Sequence, residues 1–205
     1  MKPPIGCVLF DLDGVLADYD RGVRVATLAR HLDRSAEAVH AAIYASGIED
    51  AADAGRLDTP AYLSALGREL DCRVDADAWV DARRSATHVR QPMLALAGAL
   101  RERGITVAVL SNNGSLMAER WPAIAPALFP LFEGRAFCSA RLGAAKPVPA
   151  AYLRCLQTLA MLPATTLFVD DNAANIDGAR EAGLAGHRFV DRPTLVGALA
   201  GFGLD

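Results

Sequence analysis

Three nearly unbroken apolar runs constrain this chain more than anything else in it: Gly6–Phe10, Ile105–Leu110 and Thr166–Asp170. Each is short and β-rich, and each gives way at once to polar residues, at Asp11, at Ser111 and at Asp170-Asp171. A run that is apolar at successive positions has no face to offer to water, which is the pattern of a parallel strand covered on both sides. Two weaker runs, Arg135–Ser139 and Gly186–Val190, read as edge strands. Helical patterns lie between the runs. Pro92–Arg103 stops at Gly104, Pro147–Met161 opens on a proline suited to a first turn and precedes Pro163, and Asn175–Ala182 stops at Gly183. Strand and helix alternating in this way predict an α/β fold, a doubly wound parallel sheet wrapped by helices.

The stretch 17–90 breaks the alternation. It shows no convincing strand and four helix candidates, starting near Tyr19, near Ser35, at Thr59-Pro60 and at Asp75, the last running to Ala86. Seventy-odd residues between the first two strands far exceed an ordinary crossover, so a helical insert is expected, standing over the sheet's carboxyl edge. The expected organisation is a core from 1–16 and 91–205 with a cap from 17–90. A chain of 205 residues has room for one such domain. The net charge is −3 with no basic run, which argues against nucleic acid or an anionic membrane as partner. The apolar stretch Val8-Leu9-Phe10 is stopped by Asp11, and neither a signal region nor a membrane span is visible. Cys7, Cys72, Cys138 and Cys155 lack the close pairing of a zinc site and read as buried, reduced thiols of a cytoplasmic protein.

Four polar clusters fall where a doubly wound sheet carries its chemistry, beyond the carboxyl ends of strands. In Asp11-Leu12-Asp13-Gly14 two carboxylates two residues apart on extended backbone point to one side, and Gly14 permits a sharp exit. Ser111-Asn112-Asn113-Gly114 offers a hydroxyl and main-chain amides suited to phosphate oxygens. Lys146, read as the start of a helix, opposes the helix dipole and so points to an anion nearby. Asp170-Asp171-Asn172, with Asn175 beyond, adds two adjacent acids that repel unless a cation joins them. With Asp11 and Asp13 brought near, four acids converge, and a hard dication with oxygen ligands, Mg²⁺ beside a phosphate, resolves the conflict. Each cluster taken singly is also explained by a capped turn or a solvated surface; the four together in this order are not.

On these motifs, DLDGV at Asp11–Val15, SNN at Ser111–Asn113, Lys146-Pro147 within GAAKPVPAAY, and DDNAAN at Asp170–Asn175, the chain resembles the haloacid dehalogenase superfamily of phosphotransferases over nearly its whole length. The insert is similar to that family's cap in its commonest position. Within the superfamily it most resembles the sugar-phosphate phosphatases, those acting on glucose 1-phosphate included. The resemblance implies a Mg²⁺-dependent phosphatase acting on a small phosphate monoester, a phosphorylated metabolite, through an aspartyl-phosphate. Asp11 is then the nucleophile and a metal ligand. Asp13 is the general acid and then base, lending its backbone carbonyl to the metal. Ser111 and the backbone of Asn112 hold phosphoryl oxygens, and Lys146 offsets charge. Asp171 ligates the metal directly and Asp170 through water, while Asn175 stands where many relatives place a third acid. Two alternatives stay open: a phosphosugar mutase, and a non-catalytic module binding a phosphorylated ligand. A dehalogenase is disfavoured, since it has no leaving alcohol for Asp13 to protonate.

Ser46–Arg56 is the candidate stretch of the insert for facing the site. Within and beside it, Arg56 and Tyr44 are candidates for contacting substrate, though a surface arginine and a packing tyrosine are the simpler readings. Trp79 and Trp121 also read as packing residues, and His31, His40, His88 and His187 show no ligand spacing. Oligomeric state is not encoded in any visible pattern.

Overall fold

The computed structural model describes residues 3–204. The first strand, β1 (Cys7–Phe10), leads through the Asp11–Gly14 turn to β2 (Ala17–Tyr19). Five helices follow: α1 (Arg21–Leu32), α2 (Ala36–Tyr44), α3 (Ile48–Asp53), α4 (Thr59–Glu69) and α5 (Ala76–Ser85). The chain returns through β3 (Thr87–Val89), which pairs antiparallel with β2. It then alternates through α6 (Gln91–Glu102), β4 (Thr106–Ser111), α7 (Ser115–Ile124), β5 (Ala136–Cys138), α8 (Ser139–Leu142) and α9 (Pro149–Leu159). The last elements are β6 (Thr166–Asp170), α10 (Ala173–Glu181), β7 (Ala185–Arg188) and α11 (Arg192–Gly201). Among the described residues no helix is long and apolar enough to cross a membrane.

The main sheet is parallel, in the order β5-β4-β1-β6-β7. Its apolar strands occupy the middle and the two weaker runs the edges. Alternation within the strands sends Val8, Phe10, Val107, Val109, Leu167 and Val169 into a core shared with α6, α7 and α11. Leu9, Ala108, Leu110 and Phe168 face the opposite way, onto Tyr152, Cys155 and Leu156 of α9 and Ile176 of α10. Both faces are therefore dry, which is why these strands carry no polar side chain between the threonines that open β4 and β6 and their carboxyl ends.

The stretch expected to be wholly helical is rooted on a two-stranded ribbon, so the expectation of no strand there is corrected. Ala-Asp-Tyr and Thr-His-Val are too short for alternation to register, and they pair because the outgoing and returning chains meet there. The ends of the helices follow side-chain caps. Asp20, Ser35, Asp58 and Asp75 each accept a hydrogen bond from a main-chain N–H of the first turn, of Val23, Ala38, Ala61 and Asp77 respectively. The cap of α4 is thus Asp58, one residue before the expected start, with Pro60 in the first turn. Helices α3, α7, α8 and α11 were not expected from the pattern. α7 carries Pro122 and a kink at Arg120, which interrupts its periodicity. Cys7, Cys138 and Cys155 are buried and Cys72 is half-buried; Trp79 and Trp121 are buried packing residues.

Candidate active site

Parallel strands bring distant polar residues to one edge. Because β1 lies between β4 and β6, the residues at or just beyond their carboxyl ends, Asp11, Ser111 and Asp170, become neighbours there. Lys146 enters from the loop before α9, its side chain 1% exposed, and bonds Asp11 Oδ1 at 2.8 Å and Asp170 Oδ2 at 2.7 Å. The sequence placed Lys146 at a helix start, and this is corrected: α9 begins at Pro149. The main chain of Lys146 is committed elsewhere. Its N–H donates to Asn112 Oδ1 at 2.9 Å, and its carbonyl accepts from Asn112 Nδ2 at 2.8 Å. Gly178 of α10 lies directly beneath the carbonyl of Pro147, where a Cβ would come within 2.0 Å. The lysine is therefore fixed from both sides.

Asp11 Oδ1 also accepts from the N–H of Leu12 at 2.7 Å. Burial pushes the Asp11 carboxyl up to about 7, against the pull of Lys146 and with the like charge of Asp170 assisting. Lys146 is raised as well: burial works against its charge, but Asp11 and Asp170 outweigh it. Asp170 is fully buried and holds three hydrogen bonds, Oδ2 accepting from Lys146 and from Asn175 Nδ2 at 3.0 Å, and Oδ1 from the N–H of Asn172 at 2.8 Å. Asp171 is exposed, and among the described residues no other residue donates to its carboxylate. Burial and the neighbouring Asp170 raise it. Ser111 is buried and accepts from Asn113 Nδ2 at 2.8 Å.

Asp13 faces the other way. Three of the four acids expected to converge do so, Asp11, Asp170 and Asp171, each offering an oxygen within 4.8 Å of the others. The Asp13 side chain instead turns to the insert, where Oδ2 accepts from Arg83 Nη2 at 2.6 Å. Asp13, Asn112 and Asn113 line a cavity of about 320 Å³ whose remaining walls are Tyr19 and insert residues. In that wall Arg24 bonds Glu49 at 2.8 Å, and Tyr62 also donates to Glu49. Asp53 has no side-chain partner among the described residues, and burial followed by the charge of Glu49 pushes it up to about 8.

The model of the haloacid dehalogenase-like hydrolases matches residues 5–183. The chain belongs to that family. Phosphatase MT3486 of Mycobacterium tuberculosis (strain CDC 1551 / Oshkosh) is 32% identical over 204 residues, covering 92% of this chain and 88% of the relative. A HAD-like family hydrolase from Porphyromonas gingivalis has the same fold, with a TM-score of 0.79 at 20% identity over 96% of this chain and 98% of that one. So has the HAD family enzyme bt-2542 of Bacteroides thetaiotaomicron, solved with magnesium and inorganic phosphate, with a TM-score of 0.74 at 21% identity over 93% and 98%.

In this haloacid dehalogenase-like hydrolase the donor set suits a hard dication. The three clustered acids offer only oxygen, and one lysine faces all of that negative charge. Gly14 makes the cluster possible: at φ +85° it lets Asp171 approach so closely that a Cβ would stand 2.4 Å from Oδ2. The stretch Ser46–Arg56 supplies Gly47, Glu49, Asp50 and Asp53 to the cavity wall, but the sequence reading singled out none of them, nor Arg24 and Arg83 outside it. Arg83, Arg24, Glu49 and Asp53 sit in ordinary helical stretches, and only a buried arginine shows that such a residue is not on a solvated face. Arg56 is exposed, as expected. Tyr44 packs between Arg21 and His40, but it also lines the cavity, its hydroxyl 2.7 Å from that of Tyr19.

Proposed function

We propose that this hydrolase is a Mg²⁺-dependent phosphatase of small phosphate monoesters, working through an aspartyl-phosphate on Asp11. One observation carries the reading. Two carboxylates of a single turn have opposite surroundings: Asp11 is locked against Lys146 among the sheet-edge acids, and Asp13 stands at the mouth of a cavity. That is the division of labour a nucleophile and a proton carrier need.

An oxygen of Asp11 attacks phosphorus, and the bond to the leaving oxygen breaks as Asp13 gives that oxygen a proton. A water molecule then loses a proton to Asp13 and attacks the same phosphorus, breaking the bond to Asp11 and releasing inorganic phosphate. Lys146 holds the Asp11 carboxylate in place and offsets charge on the transferring group. Ser111 and the main-chain N–H of Asn112 are the proposed phosphate donors. Asp11, the Asp13 carbonyl and Asp171 would hold Mg²⁺, with Asp170, already engaged by Lys146, Asn175 and the N–H of Asn172, acting through water. Bound there, the ion would neutralise charge on the phosphoryl group. Asn175 braces Asp170.

The insert, residues 17–90, is proposed as a cap that closes over the leaving group. Its cavity wall mixes guanidinium, carboxyl and phenol groups, a lining for a hydroxylated leaving group, so a sugar phosphate is the favoured substrate class. The test is phosphate release from p-nitrophenyl phosphate and a panel of sugar phosphates, with Mg²⁺ and after exhaustive chelation. Release is expected with Mg²⁺ and none without it. Full activity after chelation would remove the metal from the account, and no release from any ester would remove the phosphatase reading.

A further inference from the structure

Arg83 has the largest side chain among those that are fully buried, at 1% exposure. A buried guanidinium costs stability unless its charge and its donors are matched, so its partners show why it is there. Nη2 donates to Asp13 Oδ2 at 2.6 Å, the one carboxylate paired with it among the described residues. Nη1 donates to Thr87 Oγ1 at 3.1 Å, and Thr87 Oγ1 donates in turn to the Arg83 carbonyl at 2.8 Å, while Nε is buried without a partner among the described residues. The guanidinium carbon lies 3.9 Å from the centre of the Tyr19 ring. Thr87 and Tyr19 are paired residues of the ribbon that roots the insert, so the ribbon sets the plane of the guanidinium. On the other side of the contact, Asp13 Oδ1 is buried and has no partner among the described residues.

We infer that Arg83 is a positioning residue for Asp13, fixing the rotation of its carboxyl group so that Oδ1 meets the leaving oxygen of the ester. The inference rests on the reading of Asp13 as proton donor. A planar guanidinium held on both its face and its edge restricts a carboxylate as a flexible ammonium does not. The chain thereby ties proton delivery to the seating of the insert, because Arg83 reaches Asp13 only when α5 and the β2–β3 ribbon are in place.

A residue that acts through the proton donor matters in proportion to the leaving group's need for a proton. An alkoxide needs one to leave and p-nitrophenolate does not. The experiment is kcat/KM, which reports the phosphorylation step, for glycerol phosphate and p-nitrophenyl phosphate in Arg83→Met, Arg83→Lys, Thr87→Val and Asp13→Asn. Arg83→Met is expected to lose about 10²-fold or more on the alkyl ester and at most about tenfold on the aryl one, in the direction of Asp13→Asn. Arg83→Lys should recover part of the alkyl loss, and Thr87→Val should show the same bias more weakly. Aryl turnover reports folded protein, and if Arg83→Met does not fold, the other two variants carry the test. Equal losses on both esters in the Arg83 and Thr87 variants, with Asp13→Asn still selective, would overturn the inference. A flat response in Asp13→Asn would instead overturn the proton-donor reading.

Discussion

Two buried cations each grip one carboxylate of the Asp11–Gly14 turn, and they come from opposite parts of the molecule. Lys146 belongs to the sheet edge, is braced through its main chain by Asn112, and serves Asp11 and Asp170 together. Arg83 belongs to the insert, is braced through its side chain by Thr87 and Tyr19, and serves Asp13 alone. The first arrangement is rigid because parallel strands fix the distances. The second holds only while the insert is seated. The difference suggests that the sheet edge carries the chemistry common to all esters, and that the insert side carries what depends on the leaving group.

The sharpest contrast is expected for Lys146→Met. It leaves Asp11 and Asp170 buried without their cation, so it should lower kcat/KM by about 10²–10³-fold on alkyl and aryl esters alike. It should also destabilise the fold by about 3–5 kcal/mol, read from denaturant unfolding. A loss confined to alkyl esters would make the two cations equivalent and break the comparison.

Gly14→Ala probes the metal side of the same edge. The added Cβ meets Asp171 Oδ2 at 2.4 Å on a left-handed backbone, so Asp171 must move. The half-saturating Mg²⁺ concentration should rise by about 10–100-fold. An unchanged Mg²⁺ requirement would show that Asp171 is not a ligand.

The effect on turnover is smallest at the insert wall, where the readout is stability. Asp53 is raised from 3.8 to about 8, so its folded form holds a proton more tightly than its unfolded form. The stability this contributes is present in full below 3.8 and is lost as pH climbs through about 8. Asp53→Asn cannot ionise. Its melting temperature should equal that of the parent below 3.8, exceed it increasingly as pH rises and level off above about 8, by about 2–4 °C per kcal/mol. A difference independent of pH would mean that Asp53 titrates alike in the folded and the unfolded chain.

The sheet and three of its edge residues were legible because each ends or follows a strand whose apolar run announces both its burial and its end; Lys146, in the loop before α9, has no such run. Asp11, Ser111 and Asp170 inherit their positions from that pattern. The fate of Asp13 was not legible: two residues after Asp11, it was read as joining the acids, and only the folded insert turns it toward Arg83. Arg83 itself lies in Asp-Ala-Arg-Arg-Ser, a stretch in which Arg84 is exposed and pairs with Asp81. No local pattern separates the buried arginine from the exposed one; that is settled by α5 packing between α1 and α7.

The central claim is that Asp11 carries the phosphoryl group, and trapping it is the most direct test. In Asp13→Asn an aryl phosphate should still phosphorylate Asp11, since p-nitrophenolate leaves unaided, but the second step lacks its base, so the intermediate should accumulate. Acid quenching followed by borohydride converts an aspartyl-phosphate to homoserine, which peptide mass spectrometry locates. The expected result is homoserine at position 11, dependent on Mg²⁺ and on substrate. Substrate turnover with no modified residue, or with homoserine at another aspartate, would contradict the assignment of Asp11 as nucleophile.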